Sequence, residues 1–338
     1  MYKAAIIGAG HIALDAHIPA YLSLDGQVQV ISAGTRSIAK NAQRLKEYGI
    51  RTIYERVDEM LEKEHPDVVS VCTPNASHAD YTAMALEAGA DVLCEKPVAM
   101  TLAEAEKLYA LAAEKGCHLM ACQTIRFQPA WQKAKAVVDA GLLGDIYSAE
   151  AKWVRRRGIP TWGNFHIREE NGGGALCDLG VHILDALFWL TGTKKLHSVR
   201  GTCGSQLKEA LPASAWDYKR GGHFKPEEMD VEEWSLGSLE TDTGVAASFH
   251  FAWATNGPAA RYLLLNGTKG SLSVPDLIFY PAEGEPYALE CEKAVSPAGH
   301  REMMRQFFAA KSHGRPLPIL PEETLLVTKT IEEIYQNS

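Results

Sequence analysis

Asp178 and His182 follow the run Gly172-Gly173-Gly174 and lead into the apolar stretch 183–190. On a helix that spacing puts a carboxylate and an imidazole on one face, one turn apart. Such a pair can pass a proton to and from a reacting hydroxyl. The same residues fit a plainer reading, with Asp178 as a cap near a helix start and His182 as a partly buried helix histidine.

A second chemistry-bearing set begins at Gly8-Ala9-Gly10-His11-Ile12-Ala13, directly after the apolar run Ala4-Ala5-Ile6-Ile7. This is a dinucleotide fingerprint with alanine in the third glycine position. Gly8 and Gly10 let the backbone approach a pyrophosphate, whose charge meets the N–H groups and dipole of the following helix. Cys72-Thr73-Pro74-Asn75 and Cys94-Glu95-Lys96-Pro97 each end a short strand, at the edge where an open α/β sheet holds ligands. Either could be an ordinary loop, but an ammonium at Lys96 is suited to stabilise an alkoxide as hydride departs. After the second strand comes Ala33-Gly34-Thr35-Arg36-Ser37, without a carboxylate for the adenosine ribose hydroxyls. Arg36 between two hydroxyl residues suits a 2′-phosphate, so the reading favours NADP over NAD. If Arg36 stacks on adenine or faces water instead, NAD serves.

These groups require two scaffolds. Over 1–122, strands expected at 3–7, 28–33, 51–54, 67–72, 91–94 and 117–121 alternate with helices at 11–23, 38–48, 57–63, 77–88 and 102–115. That rhythm predicts an α/β fold with an N-terminal Rossmann domain, a doubly wound parallel sheet. Thr101 with Glu104 is a capping-box pattern at the last of those helices. Over 123–338 the rhythm changes to a helix at 129–140, strands within 145–154, 231–239, 244–253, 261–265 and 271–274, and closing helices at 301–312 and 322–335. Hairpin turns between those strands predict a C-terminal α+β domain on a mostly antiparallel sheet.

Composition narrows the function classes. The 338 residues are 46% hydrophobic and 22% charged, enough for two cores. A net charge of −8 speaks against a nucleic-acid surface. Arg155-Arg156-Arg157 is the only compact basic run, either a solvated strand end or a contact for an anionic or hydroxylated substrate. The seven cysteines are scattered and never form C-x-x-C, so reduced thiols and no metal site are expected. The opening run 1–8 reads as a strand, so no secretory signal is expected. The stretch 183–190 is too short to span a bilayer and carries Asp185, so no membrane partner and a cytoplasmic location are expected.

Taken in order, Gly8-Ala9-Gly10, Thr73-Pro74-Asn75, Glu95-Lys96-Pro97, Gln128-Pro129-Ala130 running to Gly144-Asp145-Ile146, and the segment 172–182 form a recognisable set. The chain resembles the Gfo/Idh/MocA family of NAD(P)-dependent oxidoreductases, which act mostly on sugars, inositols and related polyols. The resemblance implies that Lys96 is the catalytic lysine, often preceding a cis bond to Pro97. It makes Asp178 and His182 the D-x-x-x-H pair, His182 as acid/base and Asp178 as its polar partner and substrate contact. It also implies an open-faced second sheet used for dimer or tetramer contacts, hence a homodimer or homotetramer.

The expected cofactor contacts are then Gly8, Gly10, His11 and Ile12 in the first turn and Thr35 and Arg36 after the second strand. Thr73, Pro74, Asn75 and His78, with Glu95 and Lys96, complete them. Arg126, Arg156, Trp162, Asn164 and His166 are expected to line the substrate cleft between domains, with Trp162 either stacking on a sugar or nicotinamide face or packed at the domain junction. Thr35-Arg36 departs from the acid that many relatives carry. The implied reaction moves hydride between nicotinamide C4 and a carbinol or carbonyl carbon. Two alternatives are a glycosidase that uses tightly held NAD for transient oxidation and a non-catalytic ligand sensor on the same scaffold.

Overall fold

Apolar β-branched runs such as Val68–Val71 and Asp91–Cys94 are buried on both faces, as central strands of a parallel sheet must be. In the computed structural model, which describes residues 1–36, 38–160, 163–210 and 225–338, these strands sit in a six-stranded sheet. The chain divides into two compact units, Met1–Gln128 with Ala294–Leu325, and Pro129–Lys293 with Leu326–Ser338.

In the first unit, β1 (Tyr2–Ile7), β2 (Val28–Gly34), β3 (Thr52–Tyr54), β4 (Val68–Val71), β5 (Asp91–Cys94) and β6 (Leu119–Ala121) lie in the order β3-β2-β1-β4-β5-β6. Every pairing is parallel. The order reverses between β1 and β4, so the loops leaving their carboxyl ends flank the topological switch point. The Leu102–Lys115 helix starts on the expected capping box, with Thr101 Oγ1 accepting from Glu104 N at 3.2 Å and Glu104 Oε2 accepting from Thr101 N at 3.1 Å. It stops at Gly116, which takes the left-handed conformation.

Two features of this unit differ from the sequence reading. The first helix is not one α-helix: a π-helical turn, Ala13–His17, precedes Ile18–Leu22 and carries His17 into the interior. The segment 294–325 also returns to this unit, although everything after 122 was expected in the second domain. The reason is apolar burial. Met303, Met304, Phe307 and Phe308 of the Ala298–His313 helix join Ile6, Leu14, Ile18 and Tyr21 in one core cluster.

Among its described residues the second unit has eight strands: β7 (Ile146–Val154), β8 (Leu196–Gly204), β9 (Trp234–Thr241), β10 (Ala246–Ala252), β11 (Ala260–Gly267), β12 (Gly270–Val274), β13 (Ile278–Pro281) and β14 (Tyr287–Ala288). Their order is β14-β13-β12-β11-β7-β10-β9-β8. Only β7 with β10 is parallel, and the other pairs are antiparallel. Alternate residues Ala149, Ala151, Phe249, Phe251, Leu263 and Leu265 are buried. The Val181–Thr191 helix packs against β7. The apolar helical stretch here is longer than the sequence reading allowed: Arg168–Thr191, 24 residues, is long and apolar enough to cross a bilayer, but 83% of its most apolar window is buried within the protein. Gly172 interrupts it after Asn171, and its part from Leu176 to Thr191 lies in the core.

Candidate active site

In the first unit the glycine turn is packed on one side and open on the other. Gly8 sits at φ +89°, donates its N–H to Gly34 O at 2.9 Å, and has no room for a Cβ, which would stand 2.7 Å from Cys72 O. A Cβ on Gly10 would meet no protein atom within 4 Å. His11 and Ile12 are exposed beside it. At the end of β2, Thr35 N donates to Tyr54 O at 2.9 Å and Arg36 is exposed. At the end of β4, the Thr73 hydroxyl is buried without a hydrogen-bond partner among the described residues, ahead of Pro74 and Asn75. An open glycine cradle at a helix start and an orphaned hydroxyl on the neighbouring loop fit a bound dinucleotide.

The Lys96 loop is held from below. The Lys96–Pro97 peptide is cis. His78 is buried with Nδ1 2.6 Å from Pro97 O and Nε2 2.8 Å from Thr73 O, so one imidazole ties the β4 loop to the β5 loop. Burial lowers its pKa. Glu95 Oε1 lies 2.8 Å from His17 Nε2 and 3.2 Å from His300 Nε2, while Glu95 Oε2 accepts from Lys96 N at 3.3 Å. Burial alone would raise the Glu95 pKa, but the hydrogen bonds from His17 and His300 outweigh it and hold the carboxyl well below its usual range. Behind them, His17 Nδ1 lies 2.9 Å from Ser70 Oγ, which is 2.7 Å from the Tyr21 hydroxyl. His17, Glu95 and Cys122 also bring ligand-type atoms within 4.8 Å of one another. Glu95 Oε1 is already engaged there by two imidazoles.

In the second unit Asp178 lies on a π-helical turn, Leu176–Gly180, and His182 on the first turn of the Val181–Thr191 helix. The regular α-spacing expected from the sequence is therefore interrupted between them. Trp253 Nε1 donates to Asp178 Oδ2 at 2.9 Å, and Arg155 Nη1 stands 3.8 Å from the same oxygen. The Arg155 guanidinium lies 5.4 Å from the centre of the Trp153 ring, and Arg261 covers that ring at 4.0 Å. Trp153 in turn lies 6.0 Å from the His182 ring, tilted by 37°. Asp178 and His182 thus meet one linked group of Trp153, Arg155, Trp253 and Arg261.

Of those four, the sequence points only to Arg155, as part of the basic run 155–157. The available signal was period-two alternation, which puts Arg155, just past the end of β7, on the side of Trp153; Arg261 is the cross-strand partner of Trp153. Within the basic run, Arg155 and not Arg156 reaches Asp178: Arg156 Nη1 donates to Asn256 O at 3.1 Å. Asn164 takes a left-handed turn, and His166 is buried with a pKa lowered by that burial. Arg126 is in the first unit, buried and paired with Glu323 at 2.9 Å. Trp162 lies outside the described residues.

The two-unit fold matches what comparison with known proteins finds. A model described as an oxidoreductase family with an NAD-binding Rossmann fold matches residues 2–122, and one for the GFO/IDH/MocA C-terminal domain matches 131–273. D-glucoside 3-dehydrogenase of Escherichia coli (strain K12) is 32% identical over 99% of this chain and 95% of its own length. The chain belongs to the Gfo/Idh/MocA oxidoreductase family. Another relative, 1,5-anhydro-D-fructose reductase of Ensifer adhaerens, is 28% identical over 94% of this Gfo/Idh/MocA chain and 90% of its own length. Among solved structures, levoglucosan dehydrogenase in complex with NADH and levoglucosan shares the fold, with a TM-score of 0.85 at 18% identity over 99% of this chain and 96% of that one. An oxidoreductase domain protein from Kribbella flavida also reaches 0.85, at 24% identity over 100% and 97%.

Proposed function

We propose that this Gfo/Idh/MocA enzyme moves hydride between nicotinamide C4 and a carbinol or carbonyl carbon of a sugar or related polyol. The observation that carries the reading is the Asp178 carboxylate, fixed by the Trp253 N–H on the turn that leads to His182. The names of the D-glucoside, anhydrofructose and levoglucosan enzymes favour a sugar. The nicotinamide supplies the hydride acceptor or donor. In the oxidising direction His182 takes the carbinol proton, the Lys96 ammonium stabilises the developing oxyanion, and Asp178 orients the imidazole and the substrate.

Arg36, exposed at the end of a β2 that brings no carboxylate, supports NADP as the preferred cofactor. The exposed rings of Tyr147 and Tyr280 and the exposed Leu236, all on the second sheet, support a homo-oligomer that buries them.

The test is fluorescence titration with NADH and NADPH, followed by a screen of glucosides, free sugars and polyols for a change in nicotinamide absorbance. Binding of neither cofactor overturns the oxidoreductase reading. Tighter binding of NADH than NADPH, or an Arg36→Ala variant with unchanged NADPH affinity, overturns the NADP preference. A monomer by light scattering overturns the homo-oligomer.

A further inference from the structure

Behind Asp178, inside the second unit, is a buried carboxylate that the chemistry above leaves unused. Glu232 Oε2 accepts the N–H of Gly174 at 2.9 Å, and its Oε1 accepts the N–H of Leu176 at 2.9 Å and the Tyr335 hydroxyl at 2.8 Å. The Glu232 carbonyl takes the N–H between those two, from Ala175 at 3.2 Å. Three successive backbone donors ahead of and within the π-helical turn therefore end on one residue. Cys177 Sγ lies 3.4 Å from the same Tyr335 hydroxyl, and the Arg168 guanidinium is 5.7 Å from the Tyr335 ring centre.

This contact accounts for the glycines. A Cβ on Gly174 would collide with the Glu232 carbonyl oxygen, and one on Gly173 with the Tyr335 hydroxyl. With no side chain of their own, these positions cannot cap the helix locally, so a carboxylate from a distant segment does it. Burying that charge is costly unless donors surround it. Here the donors are the buried N–H groups of a helix start, which have no carbonyl partner within the helix, and the dipole there also favours an anion. A remote carboxylate that grips Gly174 and Leu176 together fixes the rotation of the turn about its axis, and so the aim of the side chains that follow.

We infer that Glu232 and Tyr335 are positioning residues: Glu232, hydrogen-bonded to the glycine turn, and Tyr335, hydrogen-bonded to Glu232, set the orientation of Asp178 and His182. This rests on the reading of Asp178 and His182 as the proton-handling pair. Tyr335→Phe removes one hydroxyl without changing shape, and Glu232→Gln keeps the size while losing one acceptor oxygen.

The full chain carrying each substitution is compared with wild type by steady-state kinetics with the sugar found in the screen, and by NMR of 15N-histidine-labelled protein. The expected result is a kcat lower by at least roughly tenfold with KM changed by no more than about twofold, and displaced His182 ring signals in both variants. A merely structural role would lower the melting temperature and leave both readouts in place. Wild-type kcat with unmoved His182 signals in Tyr335→Phe overturns the inference, as does a loss confined to KM. If Glu232→Gln fails to fold, Tyr335→Phe decides. If wild type turns over no sugar, the proposed function fails on its own, and the His182 signals alone decide the positioning role.

Discussion

The Trp253 indole N–H donates to Asp178 Oδ2 at 2.9 Å, from a side chain with no solvent exposure. A hydrogen bond to a charged group is worth about 1.5–3 kcal/mol, and this one fixes a carboxylate that Arg155 approaches only at 3.8 Å. Trp253→Phe keeps a ring in place and removes the N–H. We expect kcat and kcat/KM to fall together, by about tenfold to a hundredfold, while circular dichroism reports a folded protein. Unchanged turnover would show that Asp178 needs no such support.

Two glycines of the first turn should respond in opposite ways. Gly8 takes φ +89° against Cys72 O, so Gly8→Ala should destabilise the apo protein by on the order of 2 kcal/mol. Gly10→Ala meets no protein atom, so its melting temperature should match wild type. The new methyl would instead stand where a pyrophosphate has to approach, weakening nicotinamide dinucleotide binding by roughly tenfold or more. Calorimetry on the apo proteins and cofactor titration separate the two effects. Full affinity in Gly10→Ala would place the pyrophosphate elsewhere.

Much of the frame is legible in the chain because local and tertiary signals agree there. The strand Asp91–Cys94 and the helix Leu102–Lys115 fall where they were drawn, one from a short apolar run and the other from the Thr101–Glu104 box. β8 was not legible: Leu196–Gly204 contains His197, Ser198, Arg200 and Gly201, and buries only Val199. The return of the Ala298–His313 helix was hidden for a different reason. Its apolar face announces an amphipathic helix but not which sheet it covers. Asp178 and His182 stood out through their glycines, whereas Trp153, Arg155, Arg261 and Trp253 become neighbours only through the register of β11, β7 and β10. Both π-helical turns, the ones that aim His17 and Asp178, escape a reading based on a period of 3.6.

Lys96 and His182 carry the chemistry in the proposed reaction, one as electrostatic stabiliser and one as acid/base. Lys96→Ala and His182→Ala should each lower turnover at least a hundredfold, within the range of about 10²–10⁴ for general acid–base groups. His182→Ala should leave cofactor affinity near wild type, since the glycine turn and the Thr73 loop belong to the first unit. Near-normal turnover of the true substrate by either variant would remove that residue from the mechanism.

His17 and His78 make stability depend on pH. Burial lowers both pKa values from 6.5, against weaker upward effects of Glu95 on His17 and of the Pro97 and Thr73 carbonyls on His78. Over the same pH range the folded state therefore binds fewer protons on these rings than the unfolded chain does. Because the unfolded state binds more protons, stability rises with pH through this window. The contribution is present above about pH 6.5 and is lost as pH falls from there through the folded values. Glu95 adds in the same direction at lower pH, since its folded carboxyl sits well below 4.5. The melting temperature of the apo protein should drop steadily as pH is lowered from about 7 to about 5. In His78→Gln the slope over that window should become shallower, because one proton-binding difference has gone. An unchanged slope would mean that the His78 ring takes up its proton over the same pH range folded and unfolded, and a steeper one that the folded protein holds it as a cation between the Thr73 and Pro97 carbonyls.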